Sequence, residues 1–453
     1  MTFAVAKFTQ KTLVACAAAA GLLLHLSAQA AIPIQHWTQP SGAQVYLVES
    51  PAIAMLDVQV DLDAGSRRDP VSQPGLASMT ASLMEKGVRA SGTAPALDEN
   101  TLGEAWADLG AQFDASAGAD RMSFSLRTLT DPALLDKAVA LAAREIAEPL
   151  FPDAVWQRER QRIDAALKES YTRPGSVIGR TFGPAVYGTH PYGYEVTADT
   201  LARISVADMR AFHASSVVAC RARVSLVGAV TRAQADAIAT RLLSRLPATP
   251  CASLPPLAPV AEVAELTQPF EKRIPFDSAQ AHVLIGQPGY KRNDPDHFAL
   301  LVGNYILGGG GFVSRLSNEV REKRGLTYGV SSGFSPGLHA GSFNIGLQTR
   351  PDQADQAVAL VRQVLGDFVA QGPTEVELKA AKDNLIGGFA LLIDSNRKLL
   401  GNVANIAWND LPLDYLDTWT QQIDKVTVAD IRAAMARKLQ PDRMVTVILG
   451  AAP

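Results

Sequence analysis

The feature that most narrows the fold of this chain is an internal repeat. Asp136-Lys-Ala-Val-Ala-Leu141 is echoed by Asp355-Gln-Ala-Val-Ala-Leu360, Ser205-Val-Ala-Asp-Met-Arg210 by Thr427-Val-Ala-Asp-Ile-Arg432, and Gly228-Ala229 by Gly450-Ala451. The displacements are 219, 222 and 222 residues, in the same order along the chain. A nearly constant offset over three separate matches marks a duplicated unit. Each copy reads β-β-α-α-β-β, then several helices and a last strand. The predicted fold is therefore α+β, with two homologous domains, each a mixed sheet with helices packed on one face.

The boundary between the copies is written in proline. Pro247, Pro250, Pro255, Pro256, Pro259 and Pro269 crowd one short stretch, which predicts a stiff, extended linker over 247–270. The domains then span 31–246 and 271–453, a sensible division of 453 residues. Residues 1–30 are set apart. Lys7 and Lys11 precede an Ala/Leu-rich run from Thr12 to Leu26, and Ala28-Gln29-Ala30 is a small-x-small cleavage site. This predicts a signal peptide and export to a bacterial periplasm. Leu13-Val14-Ala15-Cys16 looks like a lipoprotein box, but the apolar run before Cys16 is too short for a lipid anchor.

No later stretch has the roughly 18 unbroken apolar residues of a membrane span. Removing the leader takes away Lys7 and Lys11 and no acid, leaving 40 basic and 45 acidic residues. So mild and dispersed a charge argues against nucleic acid or an anionic membrane as partner. Of the three cysteines, Cys220 and Cys251 lie in the mature chain. They are either a disulfide tying the last strand of the first half to the linker or two buried thiols, and the sequence leaves both open.

The stretch LGGGGFVSRLSNEVREKRGLTYGVSSGF, 307–334, is the most distinctive local signal. Gly308, Gly309, Gly310 and Gly311 end one helix, and without Cβ atoms they permit close approach by another chain, which makes them candidate substrate-binding positions. A charge-dense helix follows with Arg321, and Tyr328 comes seven residues later at the start of a β-like run. A guanidinium can hold a peptide carbonyl or a developing oxyanion, and a phenol can donate to that oxygen as it gains charge.

The Gly-rich turn, Ser-Arg-Leu and Arg-x6-Tyr resemble the second-domain signature of the pitrilysin/insulysin peptidases and their mitochondrial processing relatives. The duplicated halves and the linker match the layout of a pitrilysin-like half-molecule. The resemblance implies that Arg321 and Tyr328 act in trans on a peptide whose zinc sits on an H-x-x-E-H helix elsewhere. In this chain the corresponding helix reads GLASMTASLMEKG, 75–87. The frame is kept at Gly75-Leu76-Ala77 and Lys86-Gly87, but Ser78, Ala81 and Ser82 stand where the two imidazoles and the general base belong. The third ligand, a Glu in an E-R-x5-E run, falls on Ala166 when counted from Glu159-Arg160, with Glu169 as the alternative register. A hydroxymethyl group is a poor zinc ligand and a methyl group accepts no proton.

The histidines His36, His190, His213, His282, His297 and His339 include no pair at metal-ligand spacing. No metal or cofactor is expected in this chain. The resemblance implies a non-catalytic subunit of a heterodimeric zinc endopeptidase, like the Gly-rich subunit of the mitochondrial processing peptidase. Its partners would be a homologous H-x-x-E-H subunit carrying zinc and extended peptide substrates. The alternative is a peptide-binding or scaffold protein with no proteolytic role.

Overall fold

The computed structural model describes residues 32–450, and the expected signal peptide lies outside them. Along the first half run β1 (Gln35–Thr38), β2 (Gln44–Glu49), β3 (Met55–Leu62), α1 (Leu76–Met84), β4 (Gly87–Val88), β5 (Leu97–Asp98), α2 (Glu99–Asp108), β6 (Gln112–Ala117) and β7 (Met122–Leu129). Then come α3 (Pro132–Ala147), α4 (Asp153–Ser170), α5 (Pro174–Tyr187), α6 (Ala198–Ala202), α7 (Val206–Ser216), β8 (Arg223–Gly228) and α8 (Arg232–Leu243). The second half has β9 (Phe270–Ile274), β10 (Ala281–Pro288), α9 (His297–Asn304), β11 (Val330–Phe334) and β12 (Ser342–Thr349). It closes with α10 (Ala354–Gln371), α11 (Glu375–Gly388), α12 (Asn396–Trp408), α13 (Tyr415–Lys425), α14 (Val428–Lys438) and β13 (Val445–Leu449). Among the described residues no helix is long and apolar enough to cross a membrane.

Five strands of the six-stranded first sheet repeat the order of the five-stranded second sheet, with β1 an added edge strand. The first is ordered β1-β2-β8-β3-β7-β6 and the second, read from its other end, β9-β13-β10-β12-β11. In both, the strand of the closing βα segment pairs parallel with the opening strand (β2 with β8, β9 with β13) and antiparallel with the second (β3, β10). The repeat read in the sequence is thus a repeat of strand order. Its matched Ser205 and Thr427 do the same job, each accepting the backbone N–H three residues on and closing a capping box at the start of α7 and α14.

One face of the first sheet is apolar and packs on α1, α3, α7 and α8, through Val58, Val60, Phe124, Leu226 and their neighbours. Helices of the second half cover its sheet likewise. The opposite faces meet a helix from the other half. Ile178, Phe182 and Val186 of α5 form a cluster with Val445, Val447 and Leu449 of β13, while α12 lies across β8, β3 and β2. The α12 contact is polar. Asp61 is fully buried, paired with Arg121 at 3.0 Å and accepting from Ser123 Oγ at 2.5 Å, and Arg121 also donates to the Ala404 carbonyl of α12. Arg223 donates to the Ala407 carbonyl and pairs with Asp410 at 2.9 Å.

Residues 247–269 form no helix or strand beyond the 3-10 turn Cys251–Ser253. The segment is pinned where it passes the first half. Cys251 is bonded to Cys220, with Cα atoms 5.6 Å apart, and Arg221 donates to the Pro255 carbonyl at 2.5 Å. Closing a loop with a sequence separation of 31 removes unfolded-state entropy worth about 3–4 kcal/mol in the chain-entropy picture. The double substitution Cys220→Ser, Cys251→Ser should therefore lower the melting temperature by several degrees, checked by calorimetry against the oxidised protein.

One buried carboxyl in the first core is not charge-paired. Glu145 of α3 is 2% exposed and accepts the Trp106 indole N–H at 2.9 Å. Burial pushes it up to about 8; the indole opposes this and the nearby Glu85 carboxylate adds to it. A carboxyl raised above its unfolded value favours the fold while protonated. Its contribution is full below the unfolded value of 4.5 and is lost as pH rises through about 8. Glu145→Gln keeps an oxygen for the indole and has no proton to lose, so thermal melts from about pH 5 to pH 8 should fall for the native protein and stay flatter for the variant.

Candidate functional site

The Gly-rich turn forms where α9 continues into a π-turn, Tyr305–Gly309, that presses on the edge strand β11. A Cβ on Gly308 would lie 2.5 Å from the Ser332 amide nitrogen, one on Gly309 2.7 Å from Asn304 Nδ2, and one on Gly310 2.8 Å from the Tyr305 carbonyl. Gly308 and Gly310 are therefore required by close backbone packing, while Gly309 meets only the end of the Asn304 side chain at this range. The open backbone expected of the whole run is found at Gly311, which has φ +64° and nothing within 4 Å of its missing Cβ. Gly308 is buried by this packing, Gly309 is exposed and Gly310 is half-buried.

Beyond the turn, Arg315 is absorbed by structure, forming a two-pronged pair with Glu377 at 2.6 and 2.9 Å over the Phe368 ring. Arg321, at the end of the π-turn Ser317–Glu322, is different. Its guanidinium carbon sits 4.3 Å from the Phe312 ring centre and 5.3 Å from that of Tyr328. Its ion pair with Glu322 is long, at 3.6 Å, which leaves donor capacity for a ligand. The Arg-x6-Tyr spacing thus becomes a stacked pair because Gly325, at φ +60°, turns the chain back after Arg321.

Tyr328 is 82% exposed, yet its backbone is held from both sides. Thr327 Oγ1 donates to the Gln348 carbonyl at 2.5 Å and accepts from the Gly329 amide at 3.1 Å, and Thr349 Oγ1 donates to the Leu326 carbonyl at 2.5 Å. Apart from the Arg321 guanidinium, the Tyr328 ring is open to a ligand. Tyr328 borders a cavity of about 440 Å³ with walls from both halves, Gly175 and Ile178 of α5 on one side and His282, Ser331 and Gly346 of the second sheet on the other.

The counterpart helix in the first half has kept its shape without its chemistry. Asp69 accepts the Gly75 amide at 2.7 Å and the Ala77 amide at 2.9 Å, capping α1 from six residues upstream. Ala81 is buried against the core, and Ser78 and Ser82 are half-buried. Ala166 lies exposed on α4, while Glu159 on the same helix pairs with Arg158 and Arg162. Two hydroxyls and two methyls do not make a zinc site, so the residues present do not fit the metal of the resemblance. Among the described residues no group of three or more His, Cys, Asp or Glu is placed to hold a metal ion.

The gap between α1 and the edge strand β6 is bridged. Glu85, just past the end of α1, accepts the Ala115 amide at 2.6 Å. In an antiparallel ladder an amide not given to β7 faces outward, so Glu85 occupies a bonding position on the open edge of the first sheet. Nothing in the sequence pattern signalled this contact. The histidines also find partners far along the chain. His190 and His339 meet with ring centres 5.1 Å apart, His339 pairs with Glu262 at 3.1 Å, and His213 contacts the Ile146 carbonyl at 2.8 Å.

Comparison with known proteins agrees with this geometry. Residues 44–199 match the insulinase family, peptidase family M16, and residues 203–385 match the peptidase M16 inactive domain. An uncharacterized zinc protease of Mycobacterium leprae is 26% identical over 423 residues, covering 91% of each chain. A Helicobacter pylori protein named non-peptidase homolog YmxG is 34% identical over 165 residues, 36% of this chain and 37% of that one. Among solved structures, a peptidase M16 inactive domain from Pseudomonas fluorescens superposes with a TM-score of 0.86 at 34% identity, over 93% of this chain and 98% of that one. This chain therefore belongs to the peptidase M16 (insulinase) family, as a non-catalytic member.

Proposed function

We propose that this protein is the substrate-binding subunit of a periplasmic heterodimeric zinc metallo-endopeptidase, contributing Arg321 and Tyr328 to a site whose zinc is held by a homologous H-x-x-E-H partner. The observation that carries this reading is the stacked pair itself. A chain that has lost its metal ligands still holds an exposed phenol against a guanidinium, on a pinned backbone beside a cavity between the halves. Export rests on the leader read in residues 1–30.

In that assembly the partner supplies the metal, the ligands and the general base. This chain's residues act on the peptide. The Arg321 fork holds a carbonyl oxygen, and the Tyr328 hydroxyl donates to the same oxygen as it becomes an oxyanion. The stacking by Phe312 limits the guanidinium's freedom, so less ordering is lost when substrate arrives.

Two outcomes are expected. Affinity purification of the native protein from its own cells should bring down a homologous chain of similar length with an intact H-x-x-E-H helix and bound zinc. Recovery of the protein alone, with no such chain encoded in the cell, favours the scaffold alternative. In the assembled enzyme, Tyr328→Phe should lower kcat by about 10²–10³-fold with little change in KM, because the hydroxyl is engaged mainly in the transition state. An unchanged kcat removes Tyr328 from the mechanism.

A further inference from the structure

The cavity beside Tyr328 has a shape that asks for a particular occupant. Its floor is one face of the second sheet, where register places His282 opposite Gln348, Leu284 opposite Gly346, and Gly346 opposite Ser331. Helix α5 covers this face over β10 and β13 but leaves the β11 and β12 side open. On that side the residues are nearly without side chains. A Cβ on Gly346 would touch only Leu284 Cδ2, at 3.5 Å, and one on Gly329 would meet nothing within 4 Å. The space comes from missing side chains and is not a packing fault in a core.

We infer that this cavity is a recognition pocket for one large apolar side chain of the bound peptide, with Ile178, Leu284 and Gly346 setting the preference. The inference rests on the reading of Tyr328 as a peptide contact and deepens it. The lining carries no charged side chain. Burial lowers the His282 pKa, so the imidazole stays neutral and offers no counter-charge to an acid. A Lys, Asp or Glu side chain would have to give up water there without an ionic partner, whereas Leu or Phe gives up only apolar hydration. A volume of about 440 Å³ accommodates one large residue with its flanking main chain. Tyr328, Ser331 and Gln348 border it with groups able to bond that main chain.

The test is fluorescence anisotropy on the purified full chain with labelled decapeptides of one Ala/Ser/Gly sequence that differ only at a central Phe, Leu, Ala, Asp or Lys. Phe and Leu peptides should bind about 10- to 100-fold more tightly than Ala, Asp or Lys peptides. Gly346→Leu fills the pocket and should erase the difference. Gly346→Ala, whose added methyl meets only ordinary contact, should reduce it while a thermal melt confirms the fold. Equal affinity for all five peptides overturns the pocket and leaves the peptide-binding reading standing. A preference that persists in a folded Gly346→Leu protein overturns its location, and no binding of any peptide removes the pocket together with the reading beneath it.

Discussion

The constraint on which the rest of this structure depends is the exchange of one helix between its halves. Each sheet has a second face that its own helices leave bare. In the second sheet that face is closed by α5, with Ile178, Phe182 and Val186 against β13, and in the first it is covered by α12. The two closures differ in chemistry. The first is an apolar seal, while the second runs over buried Asp61 and the arginines 121 and 223, whose guanidinium groups bond carbonyls at the end of α12. Such a polar seam fixes position more than it adds stability, because each charge has one satisfactory arrangement and a slip would leave it unpaired. The halves are held in one relation, and the cavity next to Tyr328 exists because α5 belongs to one half and its floor to the other.

That geometry accounts for the uneven fate of the duplicated parts. In the first half, the helix of the lost metal positions remains well packed, since Leu76, Ala77, Ala81 and Leu83 face the core and Asp69 caps its first turn. Glu85 then ties the end of the helix to β6. In the second half the equivalent edge strand, β11, is pressed by the π-turn through Gly308, and the chain beyond emerges with Phe312, Arg321 and Tyr328 stacked in the open. The first copy ties its helix end to the sheet edge, and the second presents side chains outward.

Much of this was legible in order along the chain. The repeat offsets follow from two copies of one strand order, and the matched Ser205 and Thr427 are helix caps, a role that depends only on neighbours three residues away. Arg321 and Tyr328 could be named because their spacing after a Gly-rich turn resembles the second-domain signature of the pitrilysin/insulysin peptidases. The loss at Ser78, Ala81 and Ser82 is a matter of residue identity alone. The glycine run shows the limit of such reasoning. Its four members look alike in sequence, yet Gly308 and Gly310 are forced by backbone at Ser332 and Tyr305, Gly309 meets the Asn304 side chain, and Gly311 faces open space at its missing Cβ.

What the sequence determined by itself was therefore the class of fold and its duplication, both of which are set by local pattern and residue type. What only the tertiary structure decided was which surfaces those residues share. The helix exchange, the Asp61–Arg121 seam, the Glu85 bridge to Ala115 and the cavity walled by Ile178 and Gly346 join positions about 30 to 340 residues apart. Contacts at that range obey no spacing rule. They arise from how two finished sheets stack through each other's helices, and that is a property of the folded halves together.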